Sequence, residues 1–177
     1  DAFVRGLPSP LPELAVQYAD FALWQRRWLT GPVLEEQLGF WRRELDGAPA
    51  LIELPADRPR PAVPSHRGAT LSTPLPAAAA AAVHSLAERA DATPFMVLLA
   101  AFQALLHRLC GADDVLVGSP IANRNRMETE GLIGLFVNTL VFRLRLPGDE
   151  GFLAVLERVR AATLAGYAHQ DLPFEVL

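Results

Sequence analysis

The spacing of apolar residues along the chain predicts helices that alternate with short strands. In the helical stretches apolar side chains recur every three or four residues, so each predicted helix has an apolar face. These stretches are residues 14–28, 32–45, 76–90, 94–109 and 152–167. Strands are predicted at residues 69–75, 115–118 and 136–146, where apolar residues alternate with polar ones or form short runs. Helices that alternate with isolated strands indicate an α/β layered fold.

Two stretches carry expectations of their own. Residues 94–109 are apolar nearly all round, so we expect this helix to be buried between layers. Residues 49–68 are rich in proline and predict a long irregular loop. Such a loop in a compact domain is usually functional or wraps the surface.

The predicted strand over residues 136–146 contains Asn138, the most informative single residue of the chain. Its alternation places Asn138 on the same face as Phe136, Leu140 and Phe142, as the polar member of an apolar face. A buried amide costs roughly 1–3 kcal/mol unless it is hydrogen-bonded. Asn138 is therefore either bonded to a neighbouring backbone turn or lines a tunnel, and the spacing alone leaves both open.

Other candidate residues follow the predicted elements. Asn123 and Arg124 come after a strand end, where sites concentrate, and the guanidinium fork of Arg124 can orient an acidic or carbonyl partner. A solvated polar turn is the alternative there. His169 and Asp171 suggest a histidine–carboxylate pair, but the following Pro-Phe favours a structural histidine that caps the last helix. Asp20 either pairs with a nearby arginine, caps a loop or, by default, lies on a solvated face.

Composition narrows the classes of partner and compartment. The 177 residues have a net charge of −4, which argues against nucleic acid as a partner. The single cysteine, Cys110, excludes an internal disulfide, so a reducing compartment such as the cytoplasm is the simpler expectation. The longest apolar stretch, residues 95–106, is too short to span a bilayer, so no membrane partner is expected.

Missing motifs exclude several chemistries. His66, His84 and His107 are isolated and have no metal-ligand spacing with another histidine, aspartate or glutamate, so no metal site is expected. The sequence contains no Gly-x-Ser-x-Gly, no glycine-rich phosphate loop and no dinucleotide fingerprint. Acyl-enzyme and nucleotide-dependent chemistry therefore have no support.

Four strings, in order and with fitting spacing, resemble the core motifs of condensation domains of nonribosomal peptide synthetases. Residues 133–139 match Ile-Gly-x-Phe-Val-Asn-Thr and residues 169–175 match His-Gln-Asp-x-Pro-Phe-Glu. Upstream, residues 18–25 match Tyr-x-Asp-Phe/Tyr-Ala-x-Trp-Gln, and residues 54–61 resemble the family's linker, followed by its Arg-Gly pair at residues 67–68. The family's catalytic signature, His-His-x-x-x-Asp-Gly, is not in the chain.

The resemblance implies a fold and a reaction. Condensation domains join two carrier-bound aminoacyl or peptidyl groups through an amide. They resemble chloramphenicol acetyltransferase in fold, so the chain is expected to have a chloramphenicol-acetyltransferase-like layered sheet and helices, incomplete here. In the family two lobes form a V around a tunnel, and the second histidine of the signature assists attack on the donor thioester. Residues 1–12 would form the end of the first lobe and a linker, and residues 13–177 a partial condensation domain, mainly the second lobe.

The resemblance also implies roles for partners and residues. No catalytic residue is expected within this chain, because the signature histidine would lie upstream, and the chain alone is expected to be inactive. No cofactor would be bound directly, because the phosphopantetheine arms belong to upstream and downstream peptidyl carrier domains of the synthetase. The expected tunnel or substrate-positioning residues are Asn138, Asn123 and Arg124. The expected structural motif residues are Tyr18, Asp20, Trp24, Arg67, His169, Gln170, Asp171, Pro173, Phe174 and Glu175.

Three alternatives stay open at the level of the sequence. An epimerisation domain of the same superfamily resembles this chain in outline but carries different strings at these places. A heterocyclisation domain has an Asp-rich motif in place of the missing signature. A non-catalytic scaffold would only dock carrier domains.

Overall fold

A computed structural model of the chain describes residues 2–146, 148 and 150–177. These residues form two compact units. The first unit comprises residues 2–43, 120–140 and 169–177, and the second comprises residues 44–119 and 141–168 within the described ranges. The helices are α1 (Tyr18–Trp28), α2 (Gly31–Leu45), α3 (Ala77–Arg89), α4 (Pro94–Cys110), α5 (Met127–Glu130) and α6 (Phe152–Ala168), and the strands are β1 (Asp114–Ile121) and β2 (Asn138–Arg145). Short 3-10 turns cover Phe3–Arg5 and Phe174–Val176.

The ends of α4 show why local sequence predicted the long helices well. The side chain of Thr93 accepts a hydrogen bond from the backbone N–H of Met96 at 3.2 Å, and Pro94 takes the first helical position. Gly111 ends the helix in a left-handed conformation with φ of 64°. The residues that start and end this helix can therefore be recognised from the local sequence, and the predicted start at residue 94 is confirmed.

In the second unit, α4 packs across the strands and also contacts α3 and α6. The side-chain amide of Gln103 donates to the carbonyls of Val115 at 3.3 Å and Phe142 at 2.9 Å. Leu146 donates its N–H to the carbonyl of Asp113, so the end of β2 lies beside the start of β1, as in an antiparallel pair. The predicted alternation of β2 is confirmed, because its apolar face is buried.

Two predictions about elements of the second unit are wrong. Residues 69–75 form no strand and are exposed throughout, because no neighbouring strand among the described residues pairs with them. The helix α4 is not buried all round, since Leu98, Phe102 and Leu105 are each about half exposed, at 50%, 47% and 50%. The described part of the chain covers only one side of this helix.

The fold bears on two further expectations. Within the described residues no single helix is long and apolar enough to cross a membrane, although α3 and α4 pass that test together as a pair bent by 107°. Among the same residues, no group of three or more histidine, cysteine or acidic side chains could hold a metal ion.

Candidate functional site

Asn138, at the start of β2 in the first unit, binds residues 169–175 through its side-chain amide. These residues, near the C-terminus, are called the closing segment below. Its Nδ2 donates to the carbonyl of Gln170 at 2.9 Å and to that of Leu172 at 2.8 Å. Its Oδ1 accepts from the backbone N–H of Thr139 at 2.9 Å and from that of Phe174 at 3.0 Å. Asn138 is only 9% exposed, so these bonds supply partners for an amide that has little contact with water.

A cavity of about 160 Å³ lies where these two segments meet. It is lined by Phe21, Gln25, Asn123, Leu135, Phe136, Val137, Asn138, Asp171, Pro173 and Glu175. Asn138 is therefore bonded to backbone and lines a cavity at the same time, so the two interpretations drawn from the sequence are not exclusive. Its role as the wall of a substrate tunnel stays a prediction.

The lining residues determine what chemistry the cavity itself can perform. Amide side chains come from Gln25, Asn123 and Asn138, and carboxylates come from Asp171 and Glu175. None of the described lining residues is a histidine, cysteine, serine or lysine. The cavity can bind and orient polar groups, and among the described lining residues the groups that could take part in chemistry are carboxylates, with no imidazole, thiol or hydroxyl beside them.

The helix α1 forms an aromatic support beneath the cavity. The hydroxyl of Tyr18 donates to the carbonyl of Leu135 at 2.9 Å. The rings of Tyr18 and Phe21 contact Phe136, with centroid separations of 5.2 Å and 4.8 Å. The backbone approaches Tyr18 closely at Gly134, where an added Cβ would lie 2.7 Å from Cγ of the tyrosine ring. Glycine is required there because no other residue leaves room for the ring.

Asp20, predicted by default to face solvent, has a local structural role. Its Oδ2 accepts the backbone N–H of Gln17 at 2.8 Å, just before the first turn of α1. A carboxylate in this position also interacts favourably with the helix dipole. Further along the same helix, the ring of Trp24 stacks on that of Trp28 with a centroid separation of 5.1 Å. The guanidinium carbon of Arg126 lies 4.0 Å from the centroid of the Trp24 ring.

The guanidinium of Arg124 forms hydrogen bonds to backbone carbonyls of the same chain. It donates to the carbonyl of Thr129 and, at 3.0 Å, to that of Leu132. Its guanidinium carbon lies 4.2 Å from the centroid of the Phe136 ring. Asn123, the preceding residue, has a left-handed φ of 51° and lines the cavity. The carbonyl partner that the sequence suggested for Arg124 is thus present within the chain, and a substrate contact stays a prediction.

The closing segment is anchored to α2 at His169. The carbonyl of His169 accepts from Nε1 of Trp41 at 2.8 Å, and the imidazole stacks on Phe40 with a centroid separation of 3.9 Å and an interplanar angle of 4°. The carboxylate of Asp171 accepts from the amide of Asn125 at 3.4 Å. Arg67, expected as a motif residue, is exposed in the long loop of the second unit.

Sequence reasoning missed a buried ion pair in the second unit. Arg143 is 6% exposed, and its Nη2 donates to Oδ2 of Asp114 at 2.6 Å. Its Nη1 also donates to the carbonyls of Glu44 at 2.7 Å and Asp46 at 2.8 Å. The hydrogen bonds and charge of Arg143 hold the pKa of Asp114 below its ordinary value, although burial opposes the shift. The same pairing raises the pKa of Arg143. Alternation placed this arginine on the polar face, and nothing local indicated its partners.

Comparison with known proteins gives consistent matches over nearly the whole chain. The family model described as "Condensation domain" matches residues 4–177. The chain is 54% identical over 177 residues to a linear gramicidin synthase subunit of Brevibacillus parabrevis, an alignment that covers all of this chain and 3% of that protein. The chain therefore spans a small part of the curated relatives it matches.

Solved structures match the same fold. The X-domain from teicoplanin biosynthesis has a TM-score of 0.87 at 33% identity, covering 98% of this chain and 40% of that one. An X-domain is also solved in complex with OxyB. The first condensation domain of the CDA synthetase, at 24% identity, has a TM-score of 0.79 and covers 99% of this chain and 38% of that one. These matches confirm the expected chloramphenicol-acetyltransferase-like α/β fold, of which the described residues hold a sheet of two strands.

Proposed function

Because this chain belongs to the condensation-domain family of nonribosomal peptide synthetases, we propose that it walls the chamber in which two carrier-bound acyl groups are joined through an amide. In that reaction the acceptor amine nitrogen attacks the carbonyl carbon of the donor thioester. The C–N bond forms as the C–S bond breaks, and the proton lost by the amine ends on the departing thiol. Most of the rate gain comes from holding the two pantetheine arms in reacting geometry.

One observation carries the proposal. The start of β2 and the closing segment are separated by about 30 residues in sequence, yet they line one cavity. The amide of Asn138 joins them through the carbonyls of Gln170 and Leu172. This arrangement suits a rigid wall whose remaining polar groups face a substrate arm.

The lining also indicates what must come from elsewhere in the synthetase. Because no described residue of the cavity wall is a histidine, the imidazole that assists amine attack would belong to a His-His-x-x-x-Asp-Gly segment outside these residues. The partners would be upstream and downstream peptidyl carrier domains, whose phosphopantetheine arms carry the two acyl groups. Residues 13–177 would lie mainly in the second lobe of such a domain, with residues 1–12 at the end of the first, and the cytoplasm would be the compartment.

The role of the cavity can be tested by filling it. We expect Val137→Trp to slow amide formation by about tenfold or more, because the larger side chain displaces the acceptor or donor arm. The reaction would use a complete condensation domain in which these residues replace the matching segment of the linear gramicidin synthase relative, with two loaded carrier domains and mass spectrometry of the product. Val137 is 58% exposed, so its replacement should not unfold the protein.

Ile133→Trp is the matched control for this experiment. Ile133 is 95% exposed in the same loop and is absent from the cavity lining. It should therefore keep the parent rate. Equal rates of amide formation for the two tryptophan variants, with equal thermal stability, would show that the cavity does not take part in the reaction.

The predicted dependence on an external histidine has its own test. The 177-residue chain alone, mixed with the same loaded carriers, should give no more amide than carriers without it. The complete domain should restore product, and a variant of that domain without the second histidine of the signature should lose it. Amide formation by the chain alone, at the rate of the complete domain, would contradict this part of the proposal.

A docking scaffold is the second candidate function, and the solved complex of an X-domain with OxyB favours it. In that case the complete domain would bind loaded carriers but release no amide, even with both histidines present. Carrier binding measured by fluorescence anisotropy, together with product analysis, separates the two candidates.

A further inference from the structure

The cavity beside Asn138 has a lining that distinguishes between the two arms of the proposed reaction. Its charged side chains are the carboxylates of Asp171 and Glu175, and no arginine or lysine is among its described lining residues. The amides of Gln25, Asn123 and Asn138 complete its polar part. A cleft lined by charge of one sign concentrates the field of that charge, so this cavity favours a cation over an anion or a neutral group.

The two carboxylates keep hydrogen-bonding capacity for a bound group. Oδ1 of Asp171 accepts one long bond of 3.4 Å from the side-chain amide of Asn125. Within the part of the chain that the structure describes, no further hydrogen bond or ion pair engages Asp171 or Glu175. An ionised carboxylate has about four acceptor positions. Both side chains can therefore receive N–H donors from a ligand.

Two arginines close to the cavity are engaged elsewhere. The guanidinium of Arg124 donates to two backbone carbonyls and lies over the ring of Phe136. That of Arg126 lies over the ring of Trp24. Since neither arginine lines the cavity or forms an ion pair with its carboxylates, the negative charge of the lining is not neutralised by direct contact.

The volume of the cavity limits what can enter it. The cavity has about 160 Å³, and one of about 150 Å³ holds a benzene-sized molecule. It can therefore take an end group of the size of one small amino acid, and a peptide chain is too large for it. Phe21, Phe136 and Pro173 supply apolar surface for that group, and the faces of aromatic rings also attract cations.

We infer that this cavity binds the α-ammonium group of the acceptor aminoacyl thioester, and that the carboxylates of Asp171 and Glu175 hold it. An α-amine has an ordinary pKa of about 7.7–8.0, so a large part of it is protonated near pH 7. The donor arm presents a neutral thioester carbonyl, which gains no ion pair from carboxylates. This assignment rests on the proposed function, because it gives the cavity to one of the two arms of that reaction.

Two pantetheine probes test whether the cavity recognises the ammonium group. The first is an alanyl group joined to aminopantetheine through an amide, which replaces the reactive thioester. The second is its lactyl analogue, in which a hydroxyl of similar size replaces the ammonium. Their dissociation constants would be measured by calorimetry at about pH 6.5, where the amine is protonated. The protein is the complete domain used for Val137→Trp, and we expect the alanyl probe to bind about tenfold more tightly than the lactyl probe.

Two variants identify the groups responsible. Asp171→Asn and Glu175→Gln should each reduce the preference for the alanyl probe to about threefold or less, and together they should abolish it. Glu128→Gln is the matched control, because it removes the same charge from an exposed residue of the first unit that does not line the cavity. It should keep the parent preference. Neither Asp171 nor Glu175 supplies a hydrogen bond to Asn138, and thermal unfolding of each variant verifies that the fold is retained.

Several outcomes would overturn the assignment. One is equal affinity of the parent domain for the two probes, or no measurable binding of the alanyl probe. Another is a full preference for the alanyl probe in the double variant, because the ammonium would then be bound elsewhere. A third is an equal loss of preference in Glu128→Gln, which would assign the effect to net charge.

Amide formation is not part of this readout, so the assignment and the proposed function can fail separately. A domain that prefers the alanyl probe, but forms amide at the parent rate as Val137→Trp, would contradict only the proposed function. Equal probe affinities, together with slow amide formation by Val137→Trp, would contradict only the assignment of the acceptor arm.

Discussion

At the scale of single residues, Asn138 shows how far pattern reasoning reaches. Alternation along β2 placed this amide on a buried face, and the structure buries it to 9% exposure. Its acceptor carbonyls lie 32 and 34 residues further along the chain, so no local signal could name them. The sequence therefore predicted that Asn138 needs partners, whereas identifying the partners required the fold.

Replacing Asn138 tests the strength of this junction. Asn138→Leu removes four hydrogen bonds and leaves the backbone groups of Gln170, Leu172 and Phe174 without their partner. We expect the free energy of unfolding to fall by about 2–4 kcal/mol, measured by urea denaturation. The control is Asn125→Leu, because Asn125 is exposed and makes one long bond of 3.4 Å to Asp171. Similar losses in both variants would show that the bonds of Asn138 carry no special weight.

Gly134 is a second position where one residue type is dictated by its neighbours. In Gly134→Ala the new methyl group would lie 2.7 Å from Cγ and 2.8 Å from Cε2 of the Tyr18 ring. The ring cannot retreat freely, because its hydroxyl is bonded to the carbonyl of Leu135. We expect a loss of about 1–3 kcal/mol in unfolding free energy.

The cause of that loss can be isolated with two further variants. Gly68→Ala should be nearly neutral, because a Cβ at Gly68 meets nothing within 4 Å. In a Tyr18→Ala background, the cost of Gly134→Ala should largely disappear, because the clashing ring is gone. An undiminished cost in that background would place the strain elsewhere.

At the scale of elements, prediction succeeded where the determinants are local. The start of α4 is set by Thr93 and Pro94, and both can be recognised in the sequence. The predicted strand at residues 69–75 was wrong because a strand depends on a neighbour that can lie anywhere in the chain. The burial of Arg143 was missed for the same reason, since its partner Asp114 lies 29 residues away on the other strand.

Arg143 joins the end of α2 to the strands, because it donates to the carbonyl of Glu44 and to the carboxylate of Asp114. From this ion pair we expect the stability of the fold to depend on pH. The pKa of Asp114 is lowered in the folded protein, first by its hydrogen bond to Arg143. A lowered carboxyl pKa adds stability that is complete above the unfolded pKa, about 3.9, and is lost as the pH falls through the folded pKa. The urea midpoint should therefore fall as the pH drops below about 4.

Two substitutions test this assignment. Asp114→Asn should lower the free energy of unfolding by about 1.5–3 kcal/mol at pH 7, because it removes the charge-assisted bonds to a buried guanidinium. It should also reduce the fall of the urea midpoint at acid pH. Asp113→Asn changes the neighbouring residue, whose side chain is 74% exposed, and should leave the profile as in the parent. An acid limb of the same depth in Asp114→Asn and in the parent would assign the pH dependence to other groups.

At the scale of the whole molecule, the exposed apolar surface of the described residues is the feature that local prediction could not supply. The pattern of α4 predicted burial on all sides, whereas Leu98, Phe102 and Leu105 are about half exposed among the described residues. A sequence pattern shows which helix faces are apolar and cannot show which of them the chain covers. Three side chains on the outer side of α4, Leu98, Phe102 and Leu105, lie in the second unit and are about half exposed. Leu71 and Leu75 of the same unit are 91% and 56% exposed. Contiguous exposed apolar surface of this kind marks an interaction site or an aggregation liability.

The 177-residue chain should therefore bind an environment-sensitive hydrophobic dye more strongly than the complete domain does. Leu98→Glu combined with Leu105→Glu should lower dye fluorescence of the chain severalfold and raise its solubility, because both side chains are already half exposed and can carry charge without a burial penalty. In the complete domain the same pair should lower the free energy of unfolding by about 3 kcal/mol or more, because two carboxylates would enter a covered interface. Arg108→Glu, an exposed position on the same helix, should be nearly neutral in both proteins. Weak dye binding by the chain, with a tolerated glutamate pair in the complete domain, would show that this surface needs no cover.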